Sequence, residues 1–138
     1  SHKRLYLFSD GASRGNPGPS ATGWCIQDDQ GSIILRGGRF LGKTTNNVAE
    51  YTAAIEVLQA AQKLHATHVI LHADSELLIK QLNGSYTVRS PHLLPLFTEL
   101  KNLAAQFVNI KYQHIYREQN SLADSEANKA LDIAVLAR

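Results

Sequence analysis

Four acidic residues are distinguished by where they lie, because each stands where a strand or helix is predicted to begin or end. They are Asp10, Glu50, Asp74 and Asp124. A single Asp at a strand end is more often a turn or cap residue. Four carboxylates gathered into one pocket would repel one another unless divalent cations compensated their charge. Mg²⁺ prefers carboxylate and water oxygens, and a pair of such ions suits hydrolysis of a phosphodiester.

Two of these acids follow predicted strands directly. Residues 5–8 form a short apolar run, typical of a strand covered on both faces, and Asp10 comes just after it. Residues 67–73 are predicted to be the fourth strand along the chain, and Asp74 follows at once. Ligands of open sheets bind at the carboxyl ends of strands, so we expect Asp10 and Asp74 at one edge of the sheet.

The first third of the chain is predicted to be an antiparallel meander. Residues 23–27 and 32–40 are the second and third strands, and the hairpin signal at residues 28–31 joins them. Residues 13–20 are dense in turn-forming types, and Gly37-Gly38 is expected to loosen the third strand.

Helical periodicity replaces the strand pattern after residue 47. Apolar residues from Val48 to Leu64 fall at three- and four-residue spacings, and Asn46 or Asn47 is predicted to cap this helix, which would place Glu50 in its first turn. The remaining predicted elements are a helix at 75–82, a helix within 91–107, a strand at 108–116, and a last helix capped by Asn120 or Ser121 that carries Asp124 and Asn128. This order predicts an α/β fold with one mixed sheet flanked by helices.

Length and composition favour one globular domain. The chain has 138 residues, 43% hydrophobic and 19% charged, and we expect residues 1–138 to form a single domain in which residues 1–4 are a tag remnant or disordered. Net charge is only +2, but if the four acids bind metal ions the rest of the surface is distinctly basic. A polyanionic partner is then plausible.

The single cysteine and the lack of long apolar stretches bear on location. Cys25 excludes an intrachain disulfide and suits a reducing compartment, which predicts a cytoplasmic protein. Nowhere do about 18 apolar residues run together, so we expect no membrane partner.

Four segments together resemble the signatures of type 1 ribonuclease H. They are SDGASRGNPGP at residues 9–19, TTNNVAE at 44–50, ADSE at 73–76 and REQNSLAD at 117–124. Their order and spacing match the family over nearly the whole chain. The resemblance implies a ribonuclease H-like fold with a five-stranded mixed sheet, and cleavage of the RNA strand of an RNA–DNA hybrid that leaves 3′-hydroxyl and 5′-phosphate ends.

The same resemblance implies a cofactor and roles for the acids. Mg²⁺ is expected, with Mn²⁺ as a possible substitute, and two ions bind each site when substrate is present. By the family's pattern Asp10 bridges both ions, Glu50 and Asp74 hold the ion on the leaving-group side, and Asp124 holds the ion that activates water.

Substrate contacts are implied by the same segments. The hybrid's minor groove exposes 2′-hydroxyls that short amides or exposed backbone can read without base specificity. The positions that match the family's groove contacts are Gly11, Ser13, Asn16, Asn46 and Asn47, with Thr45 at a DNA-phosphate position and Glu76 in place of the Gln usual in longer bacterial members. An acid at position 76 can accept a hydrogen bond from a 2′-hydroxyl but cannot donate one.

Two further differences from the longer members of the family concern basic residues. Longer members carry an auxiliary histidine on a loop before the last Asp; His114 has a suitable offset but a strand-like context, and we favour Arg117, which can orient water or stabilise phosphate charge. The Lys- and Trp-rich protrusion of longer members is missing, which makes this a short form. Trp24, the sole Trp, is expected in the core, and His65, His68 and His72 are expected to be surface or packed residues, not metal ligands.

Three hypotheses remain at this stage. The leading one is a monomeric, metal-dependent endonuclease with Asp10, Glu50, Asp74, Asp124 and Arg117 as catalytic residues. The second is a catalytically silent hybrid-binding module on the same fold. The third is a nuclease domain excised from a reverse transcriptase.

Overall fold

The structure, a computed structural model, describes residues 4–137. Five strands and four helices follow one another in the predicted order, and a single 3₁₀ turn at Arg117–Asn120 precedes the last helix. The elements are β1 (Arg4–Ser13), β2 (Gly18–Gln27), β3 (Ile33–Thr44), α1 (Asn46–Lys63), β4 (His68–Ala73), α2 (Glu76–Leu82), α3 (Leu94–Ala104), β5 (Asn109–His114) and α4 (Ser121–Leu136). Within residues 4–137, none of the helices combines the length and apolar character needed to cross a bilayer.

The five strands form one mixed sheet in the order β3-β2-β1-β4-β5. The pairs β1–β2 and β2–β3 are antiparallel, whereas β1–β4 and β4–β5 are parallel. The predicted α/β fold with a five-stranded mixed sheet is therefore confirmed. Arg4 already belongs to β1, in contrast to the expectation that residues 1–4 lie outside the fold, and residues 1–3 are outside the described part of the chain.

β1 is longer than its apolar run predicted. Its parallel pairing with β4 stops at Ser9↔Ala73, as expected, but its antiparallel pairing with β2 continues to Ser13↔Ser20. Asp10 therefore lies inside β1, immediately beyond the last parallel pair, and not at the strand's end. The turn-rich residues that suggested a loop are used in part to extend this antiparallel ribbon.

The start of α1 also differs from the prediction. Thr45, not Asn46 or Asn47, is the N-cap: its backbone is extended, and its Oγ1 accepts a hydrogen bond from the Val48 N–H at 3.2 Å. Three adjacent residues of capping type made the position ambiguous in sequence. The helix begins at Asn46, so Glu50 lies in the second turn and not the first.

α1 packs on one face of the sheet and supplies much of the core. Leu5 and Leu7 of β1, Leu71 of β4 and Leu58 of α1 are completely buried in one cluster. Trp24 packs against this cluster but is only half-buried, so the expected core position is partly wrong. Gly37 leaves room for the Trp24 ring, because a Cβ there would lie 2.6 Å from the ring; β3 runs on unbroken through this point.

α4 covers the opposite face of β1, β2 and β3 and sits directly on the sheet backbone. A Cβ added to Gly23 would lie 2.1 Å from the Ala123 oxygen and 2.3 Å from the Ala127 nitrogen. Only glycine permits this approach of helix to strand. The close contact fixes the start of α4, which carries Asp124, against the centre of the sheet.

Candidate functional site

One cavity of about 530 Å³ contains all four of the acids singled out by the sequence. It opens where the parallel pairing of β1 and β4 ends, between the N-terminal halves of α1 and α4. Its lining is mostly polar: Asp10, Gly11, Ala12, Ser13, Asn46, Asn47, Glu50, Asp74, Ser75, His114, Ile115, Tyr116, Arg117, Asp124 and Asn128.

Three of the carboxylates form a tight group. Asp10 in β1, Glu50 in α1 and Asp74, directly after β4, each offer a carboxylate oxygen, and these oxygens lie within 4.8 Å of one another. Asp10 is buried, with 5% of its surface exposed, and the other two are half-buried. Across residues 4–137 this is the one group of three or more His, Cys, Asp or Glu side chains close enough to share a metal ion.

Asp124 approaches the group from α4. It lies in the first turn of that helix, and its carboxyl is within hydrogen-bonding reach of Asp10. The Asn128 amide, one helical turn later, donates to the Asp124 carbonyl at 3.0 Å and to its Oδ1 at 3.1 Å. The fourth acid thus shares the pocket but stands outside the tight group of three.

The pocket raises the pKa of Asp10 to about 8. Burial is the largest cause, and the neighbouring Asp74 and Asp124 carboxyls add to it, while the Arg117 guanidinium acts in the opposite direction. A carboxyl in water has a pKa near 4 and is charged at neutral pH. In this pocket the protein alone therefore favours the protonated form.

The same causes act on the two neighbouring acids. Burial, followed by the charges of Asp10 and Asp74, raises the pKa of Glu50 well above its ordinary value, although a hydrogen bond from the Gly11 N–H at 3.0 Å opposes the shift. Burial also raises the pKa of Asp74. Clustered acids that are costly to ionise alone fit a divalent cation, because its charge offsets both desolvation and repulsion. The oxygen-only donor set suits Mg²⁺ or Mn²⁺.

Gly11 allows α1 to approach the sheet at this point. A Cβ on Gly11 would lie 2.5 Å from both the Ala49 carbonyl carbon and the Glu50 nitrogen. Any larger residue would push the helix away from β1. The missing side chain therefore sets how near Glu50 comes to Asp10.

The structure divides the predicted substrate-contact residues into two sets. Gly11, Ser13, Asn46 and Asn47 line the acid pocket. Asn47 also lines an adjoining groove of about 450 Å³ that contains Asn16 and Thr45, where the Asn16 side chain accepts a hydrogen bond from the Asn46 N–H at 3.0 Å.

Glu76 is placed differently from the other predicted contacts. It is not among the residues that line the pocket or the groove, and its carboxylate pairs with Lys80 at 2.7 Å. The structure does not bring Glu76 into the site.

His114 and Arg117 both line the acid pocket. His114 is the last residue of β5, as its strand-like context predicted, and Arg117 begins the 3₁₀ turn. The Arg117 charge lowers the pKa of both Asp10 and Asp74, although burial outweighs it. The His72 ring stacks on Phe8 with centroids 4.5 Å apart, as expected of a packed histidine.

Two features of the site were not predicted. Asn128 was predicted to lie on the last helix, but no role was predicted for it. Its spacing of four residues from Asp124 is the signal that the two side chains lie together. The groove beside Thr45 also includes Ser90, His92 and Leu93. These residues lie just before α3, and nothing in the sequence relates them to Thr45.

Comparison with known proteins identifies relatives over most of the chain. A family model described as "Reverse transcriptase-like" matches residues 8–130. Ribonuclease H of Coxiella burnetii is 43% identical over 142 aligned residues, covering 93% of this chain and 90% of that protein. Ribonuclease HI of Halobacterium salinarum is 40% identical over 131 residues, covering 95% of this chain but 66% of that protein. The chain spans only 36% of its mycobacterial relatives.

Solved structures give the same result. The N-terminal RNase H domain of a Mycobacterium tuberculosis protein superimposes with a TM-score of 0.94 at 38% identity, covering 98% of both chains. LC11-RNase H1, solved in complex with an RNA/DNA hybrid, superimposes with a TM-score of 0.91 at 36% identity, covering 95% of this chain and 99% of that one.

Proposed function

This chain belongs to the type 1 ribonuclease H family, and from that premise we propose that it is an endonuclease that hydrolyses the RNA strand of RNA–DNA hybrids. The relative solved with a hybrid supports the substrate class. The observation that carries the proposal is the convergence of Asp10, Glu50, Asp74 and Asp124 in one pocket. Within residues 4–137, no Lys, Arg or His forms an ion pair with any of these four carboxylates.

The residues present fit a divalent-metal site, and two ions are proposed to bind together with substrate. Asp10, Glu50 and Asp74 would hold one ion, and Asp10 and Asp124 the other. When bound, Mg²⁺ or Mn²⁺ would supply Lewis-acid stabilisation of the phosphodiester and activation of water. Hydrolysis then breaks the bond between phosphorus and the 3′-oxygen, leaving a 3′-hydroxyl and a 5′-phosphate.

The chain's own residues orient the hybrid. Asn46 and Asn47 at the start of α1, with the Gly11 backbone and Ser13 in β1, present short polar groups to the pocket. Such groups can read 2′-hydroxyls across a wide, shallow minor groove, which explains recognition of RNA without base specificity. The groove with Asn16 and Thr45 runs on from the pocket through Asn47 and is proposed to receive the DNA strand.

Arg117 is proposed as the auxiliary residue. It lines the pocket and acts electrostatically on Asp10 and Asp74, so a scissile phosphate bound there would lie in its field. A guanidinium stays protonated near neutral pH, and Arg117 therefore stabilises phosphate charge or orients water and does not act as a base. Glu76, exposed and paired with Lys80, is assigned at most a peripheral contact. The monomeric state and cytoplasmic location remain predictions.

A strand-specific assay tests the function. We would incubate the protein with a hybrid labelled on each strand in turn, with Mg²⁺ and with EDTA, beside the Asp10→Asn variant. We expect metal-dependent cuts in RNA only, with 3′-hydroxyl ends, and near-complete loss in the variant. Tight hybrid binding without cleavage would identify the silent module instead. Cutting of the DNA strand, or full activity of Asp10→Asn, would rule out the mechanism.

A further inference from the structure

Asn120 is almost completely buried, with 1% of its surface exposed. It is the last residue of the 3₁₀ turn and the N-cap residue of α4, the helix that carries Asp124. Its side-chain nitrogen donates to the Ser9 carbonyl at 2.9 Å, in the residue just before Asp10. Its side chain also acts electrostatically on the Asp74 carboxyl and lowers the pKa of that group against the larger effect of burial.

The side chain of Asn120 is not used for capping. Asn is favoured at an N-cap because its oxygen accepts a hydrogen bond from a backbone N–H in the first turn. Here no such bond forms, and the Asn120 side-chain oxygen has no hydrogen-bond partner in the described part of the chain. A buried amide oxygen without a partner costs free energy. The side-chain capping bond that normally favours Asn at an N-cap is therefore absent in α4.

The orientation of the amide explains why the capping hydrogen bond is missing. The Ser9 carbonyl is an acceptor, so the NH₂ end of the Asn120 amide must face β1, and the same orientation favours the charged form of Asp74. A carboxylate or an apolar side chain could not donate this hydrogen bond, and a serine hydroxyl would stand on a shorter side chain. We propose that Asn120 is a positioning residue, whose amide holds β1 at Asp10, the Asp74 carboxylate and the start of α4 in the arrangement that binds divalent metal.

This inference rests on the proposed function, and it leads to an unusual expectation. Asp and Ser are as good as Asn at an ordinary N-cap. If Asn120 only capped α4, Asn120→Asp and Asn120→Ser would both be tolerated. If it positions the acids, both variants lose the amide N–H that donates to the Ser9 carbonyl, and Asn120→Asp also adds a negative charge close to them.

Metal binding by the protein alone gives the primary readout. We would titrate Mn²⁺ into wild type, Asn120→Ser and Asn120→Asp by calorimetry, without substrate, and then measure kcat and KM on a hybrid at saturating Mn²⁺. Loss of a group that orients metal ligands typically weakens metal affinity or activity by about 10-fold to 100-fold. We expect a loss of Mn²⁺ affinity in that range for both variants and a fall in kcat, with KM for hybrid nearly unchanged.

Gln81→Leu is the matched control for a loss that is only structural. Gln81 is also a buried amide, 6% exposed, and it accepts a hydrogen bond from the Tyr51 hydroxyl at 2.5 Å. It does not line the acid pocket. We expect this variant to lose thermal stability while keeping wild-type Mn²⁺ affinity and kcat.

The outcomes separate the two proposals. Wild type that neither binds Mn²⁺ nor cleaves hybrid would overturn the proposed function itself. If wild type does both, and Asn120→Ser matches it or behaves like Gln81→Leu, the positioning role is wrong. Should Asn120→Asp fail to fold, Asn120→Ser, with circular dichroism as a check on folding, still decides the question.

Discussion

Two glutamates on the same helix show how this protein treats carboxylates in different ways. Glu56 accepts a hydrogen bond from Thr22 at 2.6 Å and pairs with Arg39 at 2.8 Å, so the protein itself balances its charge. Within residues 4–137, the carboxylate of Glu50, six residues earlier, accepts a hydrogen bond from the Gly11 N–H alone. It faces Asp10 and Asp74, and its pKa is raised by burial and by those two charges. The structural carboxylate Glu56 has a protein cation as its partner, whereas Glu50, the proposed metal ligand, has none among the described residues.

The strongest test of this comparison is to neutralise each glutamate separately. Glu50→Gln removes a proposed metal ligand, which we expect to lower the hydrolysis rate by about 10³-fold, since metal ions supply several kcal/mol of transition-state stabilisation. Glu56→Gln should leave the rate within a factor of about two, because Glu56 lies outside the pocket. Steady-state cleavage of a labelled hybrid measures both. Equal losses in the two variants would show that the contrast between them has no functional meaning.

Displacing Glu50, the proposed metal ligand, without removing it should have the next largest effect. Gly11→Ala places a methyl group 2.5 Å from the backbone of α1 at Glu50, so the helix must shift. A displacement of about 1 Å at a reacting centre can cost about 10²-fold in rate. Gly37→Ala is the control, because the three atoms nearest to its Cβ would all belong to the Trp24 ring, the first at 2.6 Å. Both variants should melt at lower temperature, but only Gly11→Ala should lose activity at temperatures where it stays folded.

The pH dependence of stability should differ between the metal-free and metal-bound protein. Folding raises the pKa of Asp10 from 3.8 to about 8, so the folded state binds this proton more tightly than the unfolded state. The resulting stabilisation is complete below pH 3.8 and is lost as pH rises to about 8. One such group changes the free energy of unfolding by at most roughly 1.4 kcal/mol per pH unit.

Urea denaturation in EDTA at pH 5 and pH 8 measures this slope. We expect metal-free wild type to be less stable at pH 8, and Asp10→Asn to show a smaller loss and to exceed wild type there. Added Mg²⁺ should stabilise wild type at pH 8, since a ligand that binds only the folded state stabilises it. A metal-free slope that is unchanged by Asp10→Asn would contradict the burial argument.

The smallest expected effect is a change in stability when Glu56, whose charge Arg39 balances, is neutralised. Glu56→Gln keeps an acceptor for Thr22 but loses the charge that pairs with the largely exposed Arg39. An ion pair of this kind contributes about 1 kcal/mol or less, so the melting temperature should fall by a few degrees. Thermal unfolding in EDTA measures it. A gain in stability would place Glu56 in the same class as Glu50.

The sequence allowed the acids to be grouped because their signals are local. Asp10 and Asp74 each follow a predicted strand, and parallel strands bring their carboxyl ends to one edge. The ends of the strands were harder to predict from the sequence, because pairing with β2 extends β1 through Asp10 to Ser13. Which of three adjacent capping residues begins α1 is decided by backbone conformation, which composition does not reveal.

Contacts between residues distant in the chain could not be predicted. Asn120 was expected to cap a helix, and its actual partner, the Ser9 carbonyl, lies 111 residues away. The groove beside Thr45 likewise includes His92, which lies between α2 and α3 and far from Thr45 in the chain. For residues of this kind the local sequence suggests one role, such as capping a helix, but contacts with residues distant in the chain determine the actual one.

The direct seating of α4 on Gly23 has a consequence for heat inactivation. Asp10 lies within β1, Asp74 directly follows β4, and Glu50 and Asp124 stand on helices packed against the same sheet. The arrangement of the four acids is thus part of the cooperative folding unit and cannot melt before it. During a temperature ramp, the decline of enzymatic turnover should coincide with the loss of circular dichroism, with no inactive folded species at intermediate temperatures.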